Sequence, residues 1–193
     1  MRAVLIVGHS QVLQGASNAS YKIDGEIATE FSFNNLLARK IVDLNVKKNI
    51  ELIVEYRDTD YEALPSEVNV HDADLVISLH CNAFNKEARG CETLYYKHTT
   101  ISDKIASVMQ NNLYKAMQNP SRGIKGRDHN RAKKIYERGA YLMKYVKAPC
   151  VICEPFFIDN DAELDFALLH TSELALAYLK GIEQSLEIIK DRR

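Results

Sequence analysis

Three short runs of the chain are apolar at nearly every position, and each leads into a residue that can bind metal or carry a proton. Ala3–Val7 leads to His9, Leu75–Leu79 to His80, and Cys150–Cys153 to Glu154. A strand that is apolar on both sides must be covered on both faces, unlike the alternating strands of a sheet with one wet face. Between these runs the apolar residues recur at helical spacing. Phe33, Leu37, Ile41 and Leu44 follow Glu30, and Ile105, Met109 and Leu113 lie within Ile101–Gln118. Leu176, Leu179, Ile182, Leu186 and Ile189 mark a closing helix from about Ser172. Further strands are expected at Glu51–Tyr56 and Cys91–Tyr96, and short helices from Pro65 to about Ala73 and over Ala162–Leu169. Residues 10–29 and 121–138 read as surface loops. Strands alternating with helices predict an α/β fold, a sheet flanked by helices on both faces.

No repeat, linker or low-complexity tract interrupts the 193 residues, so a single domain spanning 1–193 is expected. At 46% apolar and 26% charged, the chain has the composition of a globular protein rather than a disordered one. Its 25 basic and 26 acidic residues give no overall field for nucleic acid, and no such partner is expected. No apolar run approaches the roughly 18 residues a membrane span needs. The opening residues lack the pattern of a secretory signal, so synthesis in a cytoplasm without a signal peptide is expected. Cys150 and Cys153 have C-x-x-C spacing, but a strand would send them to opposite faces. The four cysteines are expected to be buried, reduced thiols, with a redox pair as the rival reading.

In open α/β sheets ligands bind at the carboxyl ends of the strands, so His9, His80 and Glu154 could gather at one edge. Glu30 lies three residues before Phe33 and seven before Leu37, which puts it on the apolar stripe of its helix. An ionised carboxylate there must be paired or hold a metal. Glu26, which follows Gly25, is the alternative. Two imidazoles and a carboxylate leave one open position on a zinc ion, as catalytic rather than structural sites do. Glu154 would then be the spare carboxylate, taking a proton from water and passing it to a leaving nitrogen. The chemistry implied is metal-assisted amide hydrolysis. The plainer alternative is that each histidine is a hydrogen-bonded structural residue and Glu154 a cap.

Residues 121–138 carry Arg122, Lys125, Arg127, Arg131, Lys133, Lys134 and Arg138 against only Asp128 and Glu137. This segment is either a groove wall that attracts carboxylates or a solvated loop. Asn82, beside His80, could orient substrate or a neighbouring group, or simply make a structural hydrogen bond. His71, His98, His129 and His170 are expected at the surface or core edge, and Tyr95 and Tyr96 in the sheet.

Several blocks carry a family likeness. They are Val4-Leu-Ile-Val-Gly-His9, Glu30-Phe-Ser-Phe-Asn-Asn-Leu-Leu-Ala38, Ala73-Asp-Leu-Val-Ile-Ser-Leu-His-Cys-Asn-Ala83, Arg89-Gly-Cys-Glu-Thr-Leu-Tyr-Tyr96, Arg122-Gly-Ile-Lys125 and Val151-Ile-Cys-Glu-Pro-Phe-Phe-Ile-Asp-Asn160. In this order they resemble the zinc-dependent N-acetylmuramoyl-L-alanine amidases of the amidase-3 type, found in phage endolysins and bacterial autolysins. The resemblance implies a mixed, mostly parallel sheet of about six strands flanked by helices. It implies one zinc ion on His9, Glu30 and His80, favouring Glu30 over Glu26, with Glu154 as the catalytic glutamate and Asn82 as a substrate contact. It implies peptidoglycan as the partner, acted on at the cell wall, with cleavage between N-acetylmuramic acid and L-alanine. A zinc peptidase cutting within the stem peptide, or a non-catalytic wall-binding module, are the alternatives. Ser10-Gln11 after His9 and Pro155 after Glu154 depart from the family pattern.

Overall fold

The computed structural model describes residues 1–46, 50–57 and 60–192. The chain opens with β1 (Arg2–Val7), then β2 (Ser17–Ile23) and β3 (Glu26–Thr29), which pair as a hairpin before α1 (Glu30–Leu44). It continues through β4 (Glu51–Tyr56), α2 (Leu64–Asn69), β5 (Leu75–Leu79), β6 (Cys91–Tyr96), α3 (Ser102–Met117) and β7 (Ser121–Arg127). The last part holds β8 (His129–Asn130), β9 (Ile135–Tyr136), α4 (Ala140–Tyr145), β10 (Cys150–Glu154), α5 (Asp161–Leu169) and α6 (Thr171–Lys190).

Six strands form the main sheet in the order β4-β1-β5-β10-β6-β7. The first four are parallel, and β6 and β7 run the other way. The sheet is therefore mixed and mostly parallel, as expected. Val7 lies opposite both Tyr56 and Leu79, and Leu79 opposite Cys153, so β1, β5 and β10 end nearly level. From β1 the chain steps to β4 on one side and returns to β5 on the other. The crevice beside the end of β1 is thus a point where strand order reverses, the usual place for a ligand in such a sheet.

Alternation along the strands splits the interior into two layers. Ala3, Leu5, Val7, Ile77, Val151 and Cys153 face α1, α3 and α6, whose Phe33, Leu37, Met109, Tyr178 and Ile182 are fully buried. Val4, Ile6, Val76, Cys150 and Ile152 face α2 and α4 through Leu64, Val68, Leu142 and Met143. Each buried Val, Leu, Ile, Phe or Met side chain among them is worth roughly 1.5–3 kcal/mol. Cys150 and Cys153 do fall on opposite faces, and all four cysteines are free and buried. Burial pushes their thiols up, away from the reactive thiolate.

Three expectations need correction. Residues 10–29 are not wholly irregular: Asp24 and Gly25, both at positive φ, make the two-residue turn that joins β2 to β3. Residues 121–138 are not a loop throughout, because Ser121–Arg127 forms the edge strand β7 beside β6. Its glycines and basic residues hide it from an apolar search and suit an unpaired sheet edge. Leu176 is 53% exposed at the rim of the α6 stripe, while Tyr178 is buried.

The start of α1 is fixed by local chemistry. The Thr29 hydroxyl accepts from the Ser32 amide at 3.1 Å, and the Ser32 hydroxyl accepts from the Thr29 amide at 2.9 Å. This reciprocal cap satisfies two donors that a helix end leaves open. Phe33 then packs edge-on against Phe156 at 4.8 Å between ring centres, tying the helix to the segment after β10.

Candidate metal-binding cleft

Glu30 is the first residue of α1 and only 5% exposed. Its two carboxylate oxygens reach different imidazoles. Oε1 lies 2.8 Å from His80 Nδ1 and Oε2 lies 3.0 Å from His9 Nε2. Oε1 also accepts from the Cys81 amide at 3.0 Å. Burial alone would push the Glu30 carboxyl up, but hydrogen bonds from His80 and His9 outweigh it and hold it well below the usual carboxylate range. The two rings meet edge to face at 5.3 Å. One ligand atom from each of His9, Glu30 and His80 falls within 4.8 Å of the others. Two ring nitrogens and a carboxylate oxygen so grouped suit a single divalent cation with bonds of about 2.0–2.2 Å. Glu26, the alternative, is exposed at the turn of the β2–β3 hairpin and stands outside this cluster.

Backbone geometry keeps the cluster tight. His9 itself sits at φ 67°, a conformation uncommon for any side chain but glycine and often found at functional sites. At Gly8 an added Cβ would fall 2.3 Å from the Leu79 carbonyl oxygen and 2.8 Å from His80 Cε1. At Gly15, φ 78°, it would fall 2.7 Å from His9 Cδ2 and 2.8 Å from Glu30 Oε2. Neither position has room for a larger residue.

Glu154 ends β10 at 2% exposure and lines the same cleft, of about 620 Å³, as the three donors. Burial pushes its carboxyl up to about 7, although the positive charge of Arg138 pulls the other way. Arg138 Nη2 donates to both oxygens, at 2.5 and 2.7 Å. Directly across the antiparallel pair stands Glu92, which raises Glu154 further. Glu92 is held below the carboxylate range, because its bond to Arg122 Nε at 2.8 Å outweighs its burial. Asn82 is 7% exposed, and its side chain adds to the effect of Arg122 in lowering Glu92. Its backbone bridges to the segment after β10, donating to the Phe156 carbonyl at 2.8 Å.

Sequence reasoning therefore names four residues that meet in one cleft, and misses Arg138 and Glu92 as partners of Glu154. The segment 121–138, read as a groove wall or a solvated loop, supplies part of the far wall through His129, Tyr136 and Arg138. His129, expected at the surface or core edge, is 7% exposed, with its ring 5.3–5.9 Å from those of Tyr136, Tyr141 and Tyr145. Tyr61 and Arg57 extend that wall. Only the Tyr141 and Tyr145 spacing, i to i+4 on a helix, hints at such a cluster.

Comparison with known proteins gives a consistent answer. The sequence profile of the N-acetylmuramoyl-L-alanine amidase family matches residues 3–184. The germination-specific N-acetylmuramoyl-L-alanine amidase of Bacillus subtilis is 31% identical over 97 residues, 50% of this chain and 37% of that protein. An uncharacterized cell wall amidase of Bacillus anthracis is 32% identical over 98 residues, 47% of this chain and 16% of that protein. The matched stretch thus spans well under half the length of both relatives. Among solved structures, the N-acetylmuramoyl-L-alanine amidase from Clostridium difficile 630 superposes with a TM-score of 0.81 at 20% identity. That superposition covers 96% of each chain and establishes the shared fold.

Proposed function

The chain belongs to the N-acetylmuramoyl-L-alanine amidase family, and on that premise we propose that residues 1–193 act as a zinc-dependent catalytic domain on peptidoglycan. The bond cleaved is the amide between N-acetylmuramic acid and the L-alanine of the stem peptide, at the cell wall. One observation carries this reading: the buried carboxylate of Glu154 shares a cleft with a converging His9, Glu30 and His80 set.

His9, Glu30 and His80 would hold the zinc, which supplies a Lewis acid for the scissile carbonyl and for water. Glu30 has its remaining lone pairs occupied by Cys81 and, at 3.5 Å, the Ala16 amide, so its oxygens stay aimed at the cleft. Glu154 is the general base and acid. It takes the proton of the attacking water and returns it to the departing L-alanine nitrogen, so no net proton is gained or lost by the protein. A carboxyl titrating near neutrality suits both halves of that task, since it is neither too weak a base nor too strong an acid. Glu92 backs Glu154 from the neighbouring strand, and Arg122 fixes Glu92.

The test is product mass on purified walls. Intact stem peptides and free glycan support the amidase, whereas shortened peptides point to a peptidase cutting within the stem. Metal analysis should return one zinc per chain, lost in His80→Ala and kept in Glu154→Gln.

A further inference from the structure

We propose that Arg138 determines substrate specificity in this cleft, holding Glu154 through one end of its guanidinium and receiving a carboxylate on the peptide side of the scissile amide with the other. The proposal deepens the amidase reading and rests on it.

The contact geometry is unusual for a purely structural pair. Arg138 serves both Glu154 oxygens with one nitrogen, Nη2, rather than with two parallel N–H bonds. Nη1 and Nε make no hydrogen bond among the described residues. The Arg138 side chain is 60% exposed while Glu154 is 2% exposed, so the guanidinium stands at the cleft mouth with one end occupied. Both two-nitrogen forks of a guanidinium include Nη2, so with Nη2 on Glu154 the remaining Nη1 and Nε offer single charge-assisted hydrogen bonds to a second anion.

The neighbouring charges leave this edge available to an anion. Glu137, next in the chain, also lines the cleft, but its carboxylate is engaged: Oε2 accepts from the Asp128 amide and lies 3.5 Å from Lys97 Nζ. Arg122, the other arginine tied to this carboxylate pair, is committed to Glu92. Arg57 lines the same cleft and adds a second positive charge, against the carboxylate of Glu62, which lines it too. Of the basic segment 121–138, Arg138 is thus the group that meets both the reacting carboxylate and the open space.

Reach narrows the ligand. A hydrogen bond on each side of a guanidinium puts an anion on the free edge about 6–8 Å from Glu154, or roughly two residues of extended chain at 3.3–3.6 Å each. The first residue beyond the scissile bond supplies the leaving nitrogen. On the peptide side of the scissile amide that reach matches a carboxylate on the second residue of the stem peptide.

The experiment compares two synthetic N-acetylmuramoyl-L-alanyl dipeptides that differ only in whether that second-residue carboxylate is free or a carboxamide. With wild-type protein we expect kcat/KM to favour the free acid by roughly tenfold to a hundredfold. In Arg138→Gln the preference should fall to near one, chiefly through a raised KM for the acid, and Arg138→Lys should keep part of it. Equal rates on both substrates with wild type would overturn the proposal and leave the amidase reading intact. The proposal also fails if Arg138→Gln slows both substrates alike, since the arginine would then only prop Glu154. If neither substrate is cut, and whole walls release no intact stem peptide, the amidase reading falls and takes the proposal with it.

Discussion

One wall of the cleft is made of strand ends and the other of the short β8–β9 hairpin, the segment that follows it and the short helix α4. His80 and Glu154 stand at the ends of β5 and β10, in the middle of the sheet, with His9 just past β1 and Glu30 locked by a capped helix. Opposite them, Arg138 is 60% exposed and Tyr136 62% exposed. Bond-breaking needs groups held to a fraction of an ångström, which only packed strands and helices supply. Discrimination between substrates can sit on looser segments, where change costs the fold little. The two walls therefore should respond differently to substitution, and the contrast can be broken.

The largest effect is expected at Glu154. Glu154→Gln should lower the rate of wall cleavage by roughly 10²–10⁴ while zinc content stays at one per chain. Retained activity would remove Glu154 from the reaction. Next comes Gly8→Ala, which forces a methyl against the Leu79 carbonyl and the His80 ring. Competition against a chromophoric chelator should show zinc affinity reduced by roughly 10–100-fold, the range for disturbing groups that orient metal ligands. Undiminished affinity would mean that the strand ends are less rigid than their packing implies.

A smaller effect is expected from Glu92→Gln. Like charges oppose ionisation, so removing Glu92 should let Glu154 lose its proton at lower pH. Carbon-13 titration of the glutamate carboxyls in metal-free protein should place Glu154 near pH 7, and lower in the variant. An unchanged or upward-moving titration would break the pairing of β6 and β10 carboxylates. Stability follows the same sign. A carboxyl raised from 4.5 to about 7 on folding contributes stability below pH 4.5 that is lost as pH rises through 7. The smallest effect belongs to the solvent side of the far wall. Reversing Lys133 and Lys134 to glutamate should change cleavage rates by less than about twofold, because exposed charges are well screened at physiological salt. A large, salt-sensitive loss would extend substrate contact beyond Arg138.

The same contrast separates what could be read from the sequence from what could not. Strands at Leu75–Leu79 and Cys150–Glu154 announce themselves by continuous apolar runs, and Glu30 by its place on an apolar helix stripe. The β2–β3 hairpin carried a readable signal in Asp24-Gly25, but its strands alternate weakly and include exposed polar residues. β7 has no apolar pattern at all, since pairing with β6 rather than burial defines it. Glu92 and Arg138 meet Glu154 only through strand register and a loop returning across the sheet, and no local spacing encodes either. The sequence places His129 no more closely than the surface or core edge, because the tyrosines around it come from the hairpin and from α4.

The three donors come from positions 9, 30 and 80, on segments that meet only once the sheet has formed. A cation taken by that set would have high affinity for the folded chain and almost none for the unfolded one. Mass action then makes its concentration a setting for resistance to heat and proteolysis, with each tenfold excess over the dissociation constant adding about 1.4 kcal/mol. Starvation for the ion would silence the protein and hasten its destruction together.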